Sequence, residues 1–407
     1  MRIAMVAACP FPSPQGSQVF VRQMCRQLVA RGHDVHLLTY GQGRDLDSDH
    51  RDGFVHHRIR RLPGDDAMRS GPTLVKPVLD AMMIASLDRL ARHGDYDLLH
   101  CHNYEAAVIG LVVRARRRVP VVYHSHNLMS DELGTYFQGR VSRRLAGAAG
   151  RMLDRSVPRR VDHAIALCDH SADAMRRGGA RADRVSVIPA AIDDDGPRCS
   201  AGEARRRLGL PGGRSAELVV GYCGNLDAYQ NLDLLLDAVS LLAADGAVPG
   251  ARLLVATHAR DAAFERALAA RGLAGNATVL ATEDFDSASL AMAAADVLVL
   301  PRRHGSGYPI KLLNYMSAGR PIVTAGCGGK VVRDGVDGLV VPDDDPHALA
   351  AAVRRTAADP ALGERLGHEA RRRFLASLTW NSVLPAVEDV YAEVTGRQGT
   401  PKAARAV

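Results

Sequence analysis

RIAMVAA at residues 2–8 has the apolar pattern of a buried strand, and QVFVRQMCRQLVAR at residues 18–31 has the spacing of an amphipathic helix. Gly32 is predicted to end this helix, and VHLLTY predicts a second strand. The alternation continues through four more apolar segments, DLLHCH, VPVVYHSH, HAIALC and VSVIP. Apolar strands separated by helices are typical of a parallel sheet that is covered by helices on both faces.

The alternation stops between residues 190 and 217, where Asp, Gly and Arg predominate, and then begins again. The predicted strands of this second series are LVVGYCGN, ARLLVAT, ATVLAT, DVLVLP, RPIVTA and GLVVP. A chain of 407 residues is also too long for one ordinary core. The sequence therefore predicts an α/β protein with two Rossmann-like, doubly wound parallel-sheet domains that face a ligand-binding cleft.

The break gives the expected domain boundaries. We expect a first domain over residues 1–195, a linker over 196–215 and a second domain over 216–378. The remaining segment, residues 379–407, begins with an amphipathic helix pattern and ends in a polar tail. This helix is expected to pack back toward the first domain.

The composition limits the class of protein. A hydrophobic content of 47% with 24% charged residues is typical of a soluble globular protein. The net charge of +7 is mostly arginine, but aromatic residues make up only 4%, so a nucleic-acid partner is not expected. The seven cysteines are scattered without a CxxC pair, which indicates free thiols in a reducing cytoplasm. No apolar run approaches the roughly 18 residues of a membrane span.

Residues 304–323, HGSGYPIKLLNYMSAGRPIV, predict a glycine-rich loop that leads into a helix. Pro309 suits a helix start, and free N–H groups at such a start attract anions such as phosphate. Lys311 and Asn314 are three residues apart and are expected to share one helix face. The stretch contains no acidic residue, and Arg302 and Arg303 precede it directly.

Several segments together resemble one known family: PFPSPQGSQ, DLLHCHN, VPVVYHSHN, VSVIPAAID, VVGYCGNLDAYQNLDLLLDA and DGVDGLVVPDDDPHALAAAV. Over nearly its whole length the chain resembles the retaining GT-B glycosyltransferases of glycosyltransferase family 4. The resemblance implies a nucleotide-sugar donor held mainly by the second domain and a hydroxyl acceptor held mainly by the first. It implies transfer of a hexose or N-acetylhexosamine with retention of configuration and without a cofactor or metal. A UDP-sugar is favoured because UDP donors are frequent in the family.

The sequence departs from this family at four charged positions. The family usually has two glutamates eight residues apart, and the matching positions here are Ser306 and Asn314. It usually also has an Arg and a Lys after the first strand of the second domain, where this chain has Asn225 and Gln230. We expect Lys311, with Arg302 or Arg303, to neutralise the donor diphosphate instead, and Asn314 to bond a ribose hydroxyl.

The expected site residues fall into three groups. Gly16 would let backbone approach the donor and Ser17 would cap the first helix, while Thr282 and Glu283 would read the base through backbone groups. The predicted catalytic residues are His126, Lys311 and Arg302. The predicted donor-binding residues are Gly16, Ser17, Asn225, Gln230, Thr282, Glu283, Arg303, Ser306, Gly307, Tyr308, Ile310, Leu312 and Asn314. The predicted acceptor-binding residues are His102, Asn127, Asp131 and Glu132, although the last two would equally suit the first turn of a helix.

Two histidine pairs raise the question of a metal. His100 and His102 are two apart on one strand, as are His124 and His126 on the next, so each pair lies on one face. A metal site is conceivable. None is predicted, because strand-end histidines commonly bond backbone groups and no carboxylate is grouped with them. The acidic runs at residues 193–195 and 343–345 are predicted to be solvated turns.

Two other functions fit the same fold, because a fold alone does not determine an activity. A nucleotide-sugar epimerase or hydrolase would turn over the donor without an acceptor. A non-catalytic partner protein that binds sugar nucleotides would explain the missing charges. Residues 114–118 and 138–160 are basic and helical, so peripheral contact with the inner face of a membrane is an alternative to an ordinary solvated helix. The oligomeric state is not indicated by the sequence.

Overall fold

The structure is a computed structural model. It describes residues 1–13, 16–43, 52–62, 71, 73–137, 139–194, 196, 199–211, 217–245, 250–282, 285–303 and 308–397, with only the backbone of residue 285. The chain divides into two compact units. The first comprises Met1–Ala191 and the chain from Trp380 onward, and the second comprises Ile192–Thr379.

The first unit contains a seven-stranded parallel sheet. Its strand order is β3-β2-β1-β4-β5-β6-β7, so the chain begins in the middle of the sheet and winds outward in both directions. The strands are β1 (Arg2–Ala7), β2 (Asp34–Thr39), β3 (Val55–Arg58), β4 (Leu98–His102), β5 (Val121–Ser125), β6 (His163–Ala166) and β7 (Val185–Val187). The helices are α1 (Gly16–Ala30), α2 (Lys76–His93), α3 (Asn103–Arg117), α4 (Met129–Glu132), α5 (Arg140–Ser156), α6 (Asp169–Arg177) and, near the end of the chain, α14 (Trp380–Thr395).

Strand alternation in β4 separates two kinds of surface. Leu99 and Cys101 belong to the apolar core that α2 and α3 cover. A Cβ at Gly110 of α3 would lie 2.6 Å from Sγ of Cys101, so the helix packs closely on this face of the sheet. His100 and His102 have the opposite parity and point to the face that carries α1 and α14. β4 therefore contributes apolar side chains to the core on one face of the sheet and two imidazoles on the other face.

The second unit contains a six-stranded parallel sheet of order β10-β9-β8-β11-β12-β13. The strands are β8 (Leu218–Cys223), β9 (Ala251–Thr257), β10 (Ala277–Ala281), β11 (Val297–Leu300), β12 (Ile322–Ala325) and β13 (Leu339–Val341). The helices are α7 (Ala201–Arg207), α8 (Leu232–Ala244), α9 (Ala262–Ala270), α10 (Phe285–Ala294), α11 (Lys311–Ala318), α12 (Pro346–Ala358) and α13 (Pro360–Ser377). The order reverses between β8 and β11, which is the usual ligand position in such sheets.

All the predicted strands are present, and among the described residues there is one further strand that was not predicted. β3, with the sequence VHHR, pairs only with β2 at the edge of its sheet and is partly exposed throughout. An edge strand needs little apolar surface, so its pattern gave no signal.

The region expected to be a linker contains α7, and this helix packs within the second unit. Arg205 is buried there and donates to the carbonyl of Ala294 and to the carboxylate of Asp296, at 3.0 and 2.5 Å. Asp296 also accepts from the backbone N–H of Val219 at 2.8 Å. The second unit thus begins at Ile192, earlier than the expected boundary.

Candidate functional site

Residues at the carboxyl end of β8 and the start of α11 form the first candidate site, which we name the lysine site: Tyr222, Asn225, Gln230, Arg302 and Lys311. The hydroxyl of Tyr315 accepts a hydrogen bond of 2.9 Å from the backbone N–H of Cys223, which joins α11 to the end of β8. This contact holds the first turn of the helix beside the loop that follows the strand.

Lys311 occupies the centre of the lysine site. Its Nζ donates to Oδ1 of Asn225 at 3.1 Å and to the hydroxyl of Tyr222 at 3.2 Å, and it lies 5.2 Å from the centroid of the Tyr222 ring. A Cβ at Gly224 would lie only 2.0 Å from Nζ, so the absence of a side chain there leaves room for the ammonium. The ammonium of Lys311 therefore lies beside Asn225, one of the two positions where the resembled family has its own cations.

Burial and the neighbouring guanidinium of Arg302 lower the pKa of Lys311 to about 7. The free site therefore carries this charge only partly at neutral pH. An anion bound beside Nζ would restore the charged form, because an opposite charge favours protonation.

Arg302 and Arg303 are adjacent in sequence but have different surroundings. The guanidinium of Arg302 is buried and stacks over the ring of Tyr229, at 5.0 Å from its centroid. Its Nε has no hydrogen-bond partner in the part of the chain that the structure describes. Arg303 is more exposed and forms an ion pair of 2.6 Å with Asp344, which also accepts from Asn231 at 3.1 Å. Arg302 is thus the better placed of the two to meet a ligand.

The two neutral residues that replace the family's cations are in direct contact. Gln230 is completely buried, and its Nε2 donates to Oδ1 of Asn225, the atom that also accepts from Lys311. Nδ2 of Asn225 donates to the hydroxyl of Tyr229 at 3.0 Å. The side-chain oxygen of Asn225, one of these two replacements, therefore holds the ammonium of Lys311 in position.

The start of α11 differs in one respect from the expectation. The N–H groups of Leu312 and Leu313 were expected to be free, but they donate to the carbonyls of Pro309 and Ile310, both at 3.0 Å. Such i to i+3 bonds tighten the first turn of a helix and use up its donors. An anion at this end would accordingly rely on side-chain cations more than on the helix backbone.

The other predicted donor residues are only partly described. Lys311 and Asn314 lie half-buried on one face of α11, between the buried Leu312, Leu313 and Tyr315. The N–H of Thr282 donates to the carbonyl of Thr257 at 2.7 Å. Tyr308 and Ile310 are half-buried beside the helix start. Glu283, Ser306 and Gly307 lie outside the described residues.

The expectation for Ser17 is wrong. Gly16 and Ser17 form the first turn of α1 itself, so Ser17 does not precede the helix as a cap. Its hydroxyl donates to Oε1 of Gln18 at 2.8 Å. Gly16 is exposed, and a Cβ there would have no atom within 4 Å, so the surface at this point is open.

The second candidate site is in the first unit and is formed by His100, His102, His124 and His126, which we name the histidine cluster. Parallel pairing sets His102 beside His124, and all four rings are buried. Nε2 of His100 lies 3.1 Å from Nδ1 of His124, and Nδ1 of His102 lies 3.0 Å from Nε2 of His126. Phe20 packs edge-on against three of the rings at centroid distances of 5.1 to 6.2 Å.

Burial lowers the pKa of every histidine in this cluster. It brings the pKa of His126 to about 4 and, with His126 adding to the effect, that of His100 to about 3. The pKa values of His102 and His124 also fall well below the ordinary range, again chiefly through burial. All four imidazoles are therefore neutral at pH 7 and serve as hydrogen-bonding groups or ligands rather than as cations.

The segment after β5 holds the other predicted acceptor residues. Nδ2 of Asn127 donates to Glu132 at 2.9 Å, and Glu132 accepts from the hydroxyl of Tyr136 at 2.5 Å. Asp131 and Glu132 lie in α4, which bears out the helix-turn alternative, and Asp131 lies 3.5 Å from Nε2 of His170. The structure thus ties Asn127 and Glu132 to each other.

A cleft of about 590 Å³ lies beside α4 and was not anticipated from the sequence. We name it the arginine cleft. Three arginines of α5 line it, together with Ser130, Asp131 and Thr135 of the facing segment: Arg143, Arg144 and Arg151. Gly147, between them on the helix, leaves room for the cleft. None of the three guanidinium groups has an ion pair or hydrogen bond to another described residue.

The signal for this cleft was present in the sequence as a basic helix, with Arg143, Gly147 and Arg151 at spacings of four. Periodicity shows that such residues share a face, but not that another segment turns back to form the opposite wall. The helices in the described ranges are all too short or too polar to cross a membrane.

The acidic runs have local structural roles. Asp345 accepts from the N–H of Ala348 at the start of α12, at 2.9 Å, and Asp343 accepts from the N–H of Gly326 at 3.1 Å. Asp194 pairs with Arg371 at 2.5 Å. The two acidic runs were expected to be solvated turns, but these three carboxylates bond backbone N–H groups or an arginine.

Both halves of the chain match known families. Residues 15–191 match the glycosyl transferase 4-like domain, and residues 217–359 match the glycosyl transferases group 1. The chain is 27% identical to the D-inositol 3-phosphate glycosyltransferase of Thermomonospora curvata, covering 100% of this chain and 97% of the relative. It is 28% identical to the enzyme of the same name from Acidothermus cellulolyticus, covering 98% and 92%.

Solved structures share the fold. Sucrose-phosphate synthase from Thermosynechococcus elongatus superposes with a TM-score of 0.82 at 20% identity, covering 97% of this chain and 99% of the other. Anabaena Alr3699/HepE in complex with UDP and glucose superposes with a TM-score of 0.74 at 18% identity, covering 97% and 100%. The likeness to these structures extends over both α/β units.

Proposed function

We propose, since this chain belongs to the GT4-type glycosyltransferases and has their GT-B fold, that it moves a hexose or N-acetylhexosamine to an acceptor hydroxyl with retention of configuration. The donor we propose is a nucleotide-diphosphate sugar, with UDP favoured. The similar fold of Alr3699/HepE, described in complex with UDP and glucose, supports this choice.

The observation that carries the proposal is the position of Lys311. Its ammonium bonds Asn225, one of the two residues that stand where the family usually has cations. The buried guanidinium of Arg302 adds a second positive group. Together they supply the two charges that a leaving diphosphate needs, although neither is at the family's usual position in the sequence.

The reaction breaks the bond between the anomeric carbon of the sugar and the diphosphate oxygen, and it forms a bond from that carbon to the acceptor oxygen. The departing diphosphate takes the proton of the acceptor hydroxyl, so the step needs no base from the protein. Lys311 and Arg302 stabilise the negative charge that develops on the leaving group. Asn314, on the same face of α11, bonds the ribose, and no step is assigned to a metal.

His126 is proposed as a polar contact to the transferred sugar. Its Nδ1 has no hydrogen-bond partner among the described residues, and a sugar hydroxyl would satisfy it. Neutral imidazole can donate or accept such a bond, whereas a cation could only donate. The low pKa of this side chain suits that role at pH 7.

The arginine cleft supports a phosphorylated acceptor. Three guanidinium groups without an ionic partner in the described chain surround a cavity large enough for a small sugar or cyclitol phosphate. Guanidinium groups bind phosphate through paired, charge-assisted hydrogen bonds. The relatives named as D-inositol 3-phosphate glycosyltransferases make a cyclitol phosphate the first acceptor to test.

The first experiment is a thermal-shift series with UDP-, GDP-, ADP- and dTDP-sugars. A ligand at a hundred times its Kd stabilises a protein by about 2.7 kcal/mol, which raises its melting temperature measurably. We expect a shift with one nucleotide class, then turnover when D-inositol 3-phosphate or another sugar phosphate is added. Binding without turnover over an acceptor panel would favour the non-catalytic partner protein, and donor hydrolysis without acceptor would favour the hydrolase. No shift with any donor would overturn the proposal.

A further inference from the structure

The histidine cluster contains more ring nitrogens than the surrounding residues satisfy. His100 uses both of its nitrogens, since Nδ1 lies 2.6 Å from the hydroxyl of Tyr391 and Nε2 lies 3.1 Å from Nδ1 of His124. Within the described residues, however, three buried nitrogens have no partner: Nε2 of His102, Nε2 of His124 and Nδ1 of His126. Buried polar atoms are rarely left without a partner, so the unpartnered Nε2 of His102, in a ring stacked on His100 and His124, indicates a missing ligand.

The spacing of these rings suits a metal ion. One ring nitrogen from each of His100, His102 and His124 can be chosen so that all three lie within 4.8 Å of one another. The 3.1 Å between Nε2 of His100 and Nδ1 of His124 is already close to roughly 3.4 Å, the edge of a tetrahedron with metal–nitrogen bonds of about 2.1 Å. An ion bound to these two nitrogens would replace the hydrogen bond between them. Bringing in the third ring requires its distances to the other two nitrogens, at most 4.8 Å, to become roughly 3.4 Å.

The outer contacts also match those of metal-binding histidines. A histidine that binds a metal through one nitrogen usually bonds a fixed group through the other, which holds the ring in place. Tyr391 fills this role for Nδ1 of His100, and His126 fills it for Nδ1 of His102 at 3.0 Å. Tyr391 is itself buried on α14, so the contact links the cluster to that helix.

We propose that His100, His102 and His124 bind one transition-metal ion of the Zn²⁺ or Co²⁺ class. Three imidazoles without a carboxylate among the ligands select such ions over Mg²⁺ and Ca²⁺, which prefer oxygen ligands. Three protein ligands leave one position for water or another ligand. The ion would connect β4 to β5 within the first unit and would stabilise that sheet, and no step of the proposed sugar transfer is assigned to it.

The test uses the full chain, first stripped with a chelator and then titrated with Co²⁺. We expect one equivalent to bind, with the visible ligand-field bands of a tetrahedral site, and Zn²⁺ to displace it and raise the melting temperature. Mg²⁺ should give neither effect. Wild-type protein that binds less than half an equivalent of Co²⁺ and Zn²⁺ would overturn the proposal, and buried water would then account for the unpaired nitrogens.

Variants identify the ligands. His100→Gln and His124→Gln should each weaken binding at least a hundredfold, and His126→Gln, which removes only an outer contact, should weaken it about tenfold. The matched control is His163→Gln on β6, since His163 is buried in the same sheet, lies outside the histidine cluster and bonds Ser186 through Nε2 at 2.9 Å. Unchanged Co²⁺ spectra in the His100 and His124 variants would place the ion elsewhere. Circular dichroism of each variant establishes that it is folded. The wild-type Co²⁺ titration tests the proposal even if a variant does not fold.

Discussion

Nζ of Lys311 lies 3.1 Å from Oδ1 of Asn225, although the two residues are 86 positions apart in the sequence. The contact joins the first turn of α11 to the loop after β8, at the carboxyl end of the central strands of the second sheet. It brings the ammonium of Lys311 beside Asn225, whereas the resembled family usually has its cations at the positions of Asn225 and Gln230 themselves.

Replacing Lys311 by Ala should raise the KM for the nucleotide sugar or lower kcat at least tenfold, about 1.4 kcal/mol. The ammonium is proposed to contact the diphosphate, and its loss leaves only Arg302 there. Steady-state kinetics with varied donor measure the effect. Arg303→Ala is the control, because Arg303 is engaged with Asp344 and should change these constants less than threefold. Unchanged constants in Lys311→Ala would remove this residue from the site.

Moving the cation should restore part of the lost activity. Gln230 and Lys311 both donate to Oδ1 of Asn225, so a lysine at position 230 can bring its ammonium to the same place. We expect Lys311→Met with Gln230→Lys to recover at least threefold in kcat/KM over Lys311→Met alone. In the wild-type background, Gln230→Lys should instead reduce stability, because two buried cations would repel each other. Equal activity of the single and double variants would contradict this arrangement.

Donor affinity should depend on pH through Lys311. Its pKa in the free protein is about 7, and a bound diphosphate should raise it. Affinity should therefore be constant below that pKa and fall up to tenfold per pH unit above it, until the higher pKa of the complex is reached. Calorimetric titration from about pH 6 to about pH 9 measures this, with proton uptake on binding as a second signal. A flat profile in wild type, or one retained in Lys311→Met, would contradict the assignment.

The arginine cleft should determine the use of phosphorylated acceptors. Arg144→Ala and Arg151→Ala should each raise the KM of a phosphorylated acceptor about tenfold and leave donor KM unchanged, because a charge-assisted phosphate contact is lost. The control is Arg140→Ala, at the start of the same helix and outside the cleft lining. Equal effects on phosphorylated and unphosphorylated acceptors would show that the cleft does not bind the phosphate.

The buried ion pair of α7 should matter for stability. Arg205→Met leaves the carboxylate of Asp296 without its cation inside the second unit, and such a loss costs about 3–5 kcal/mol. Arg207→Met, two residues along the same helix, breaks a pair with Glu203 that is open to solvent and should cost less than about 1 kcal/mol. Denaturant unfolding of both variants gives the comparison. Similar midpoints would mean that α7 does not contribute to the core.

The fold was largely predictable because parallel strands covered on both faces are mostly apolar, even in β4 and β5, which also carry buried histidines. That pattern made the strands β1, β2 and β4 to β13 visible one by one. It does not apply to β3, whose half-exposed VHHR has one apolar residue, whereas the other edge strands β7, β10 and β13 are mostly apolar. Local hydrogen bonds were predicted less well, since Ser17 bonds Gln18 rather than capping α1, and the first N–H groups of α11 have backbone partners.

The sequence by itself determined the order of strands and helices, and with it the two parallel sheets and the loops at their carboxyl ends. It also placed Lys311, Arg302 and the paired histidines near those ends. Only the tertiary structure decided which charges are available. Arg302 is buried over Tyr229 while its neighbour is paired with Asp344, and three arginines of α5 line a cleft without an ion pair to a described residue. The reason is physical: periodicity specifies the face on which a side chain lies, but its partner comes from a distant segment that only folding brings near.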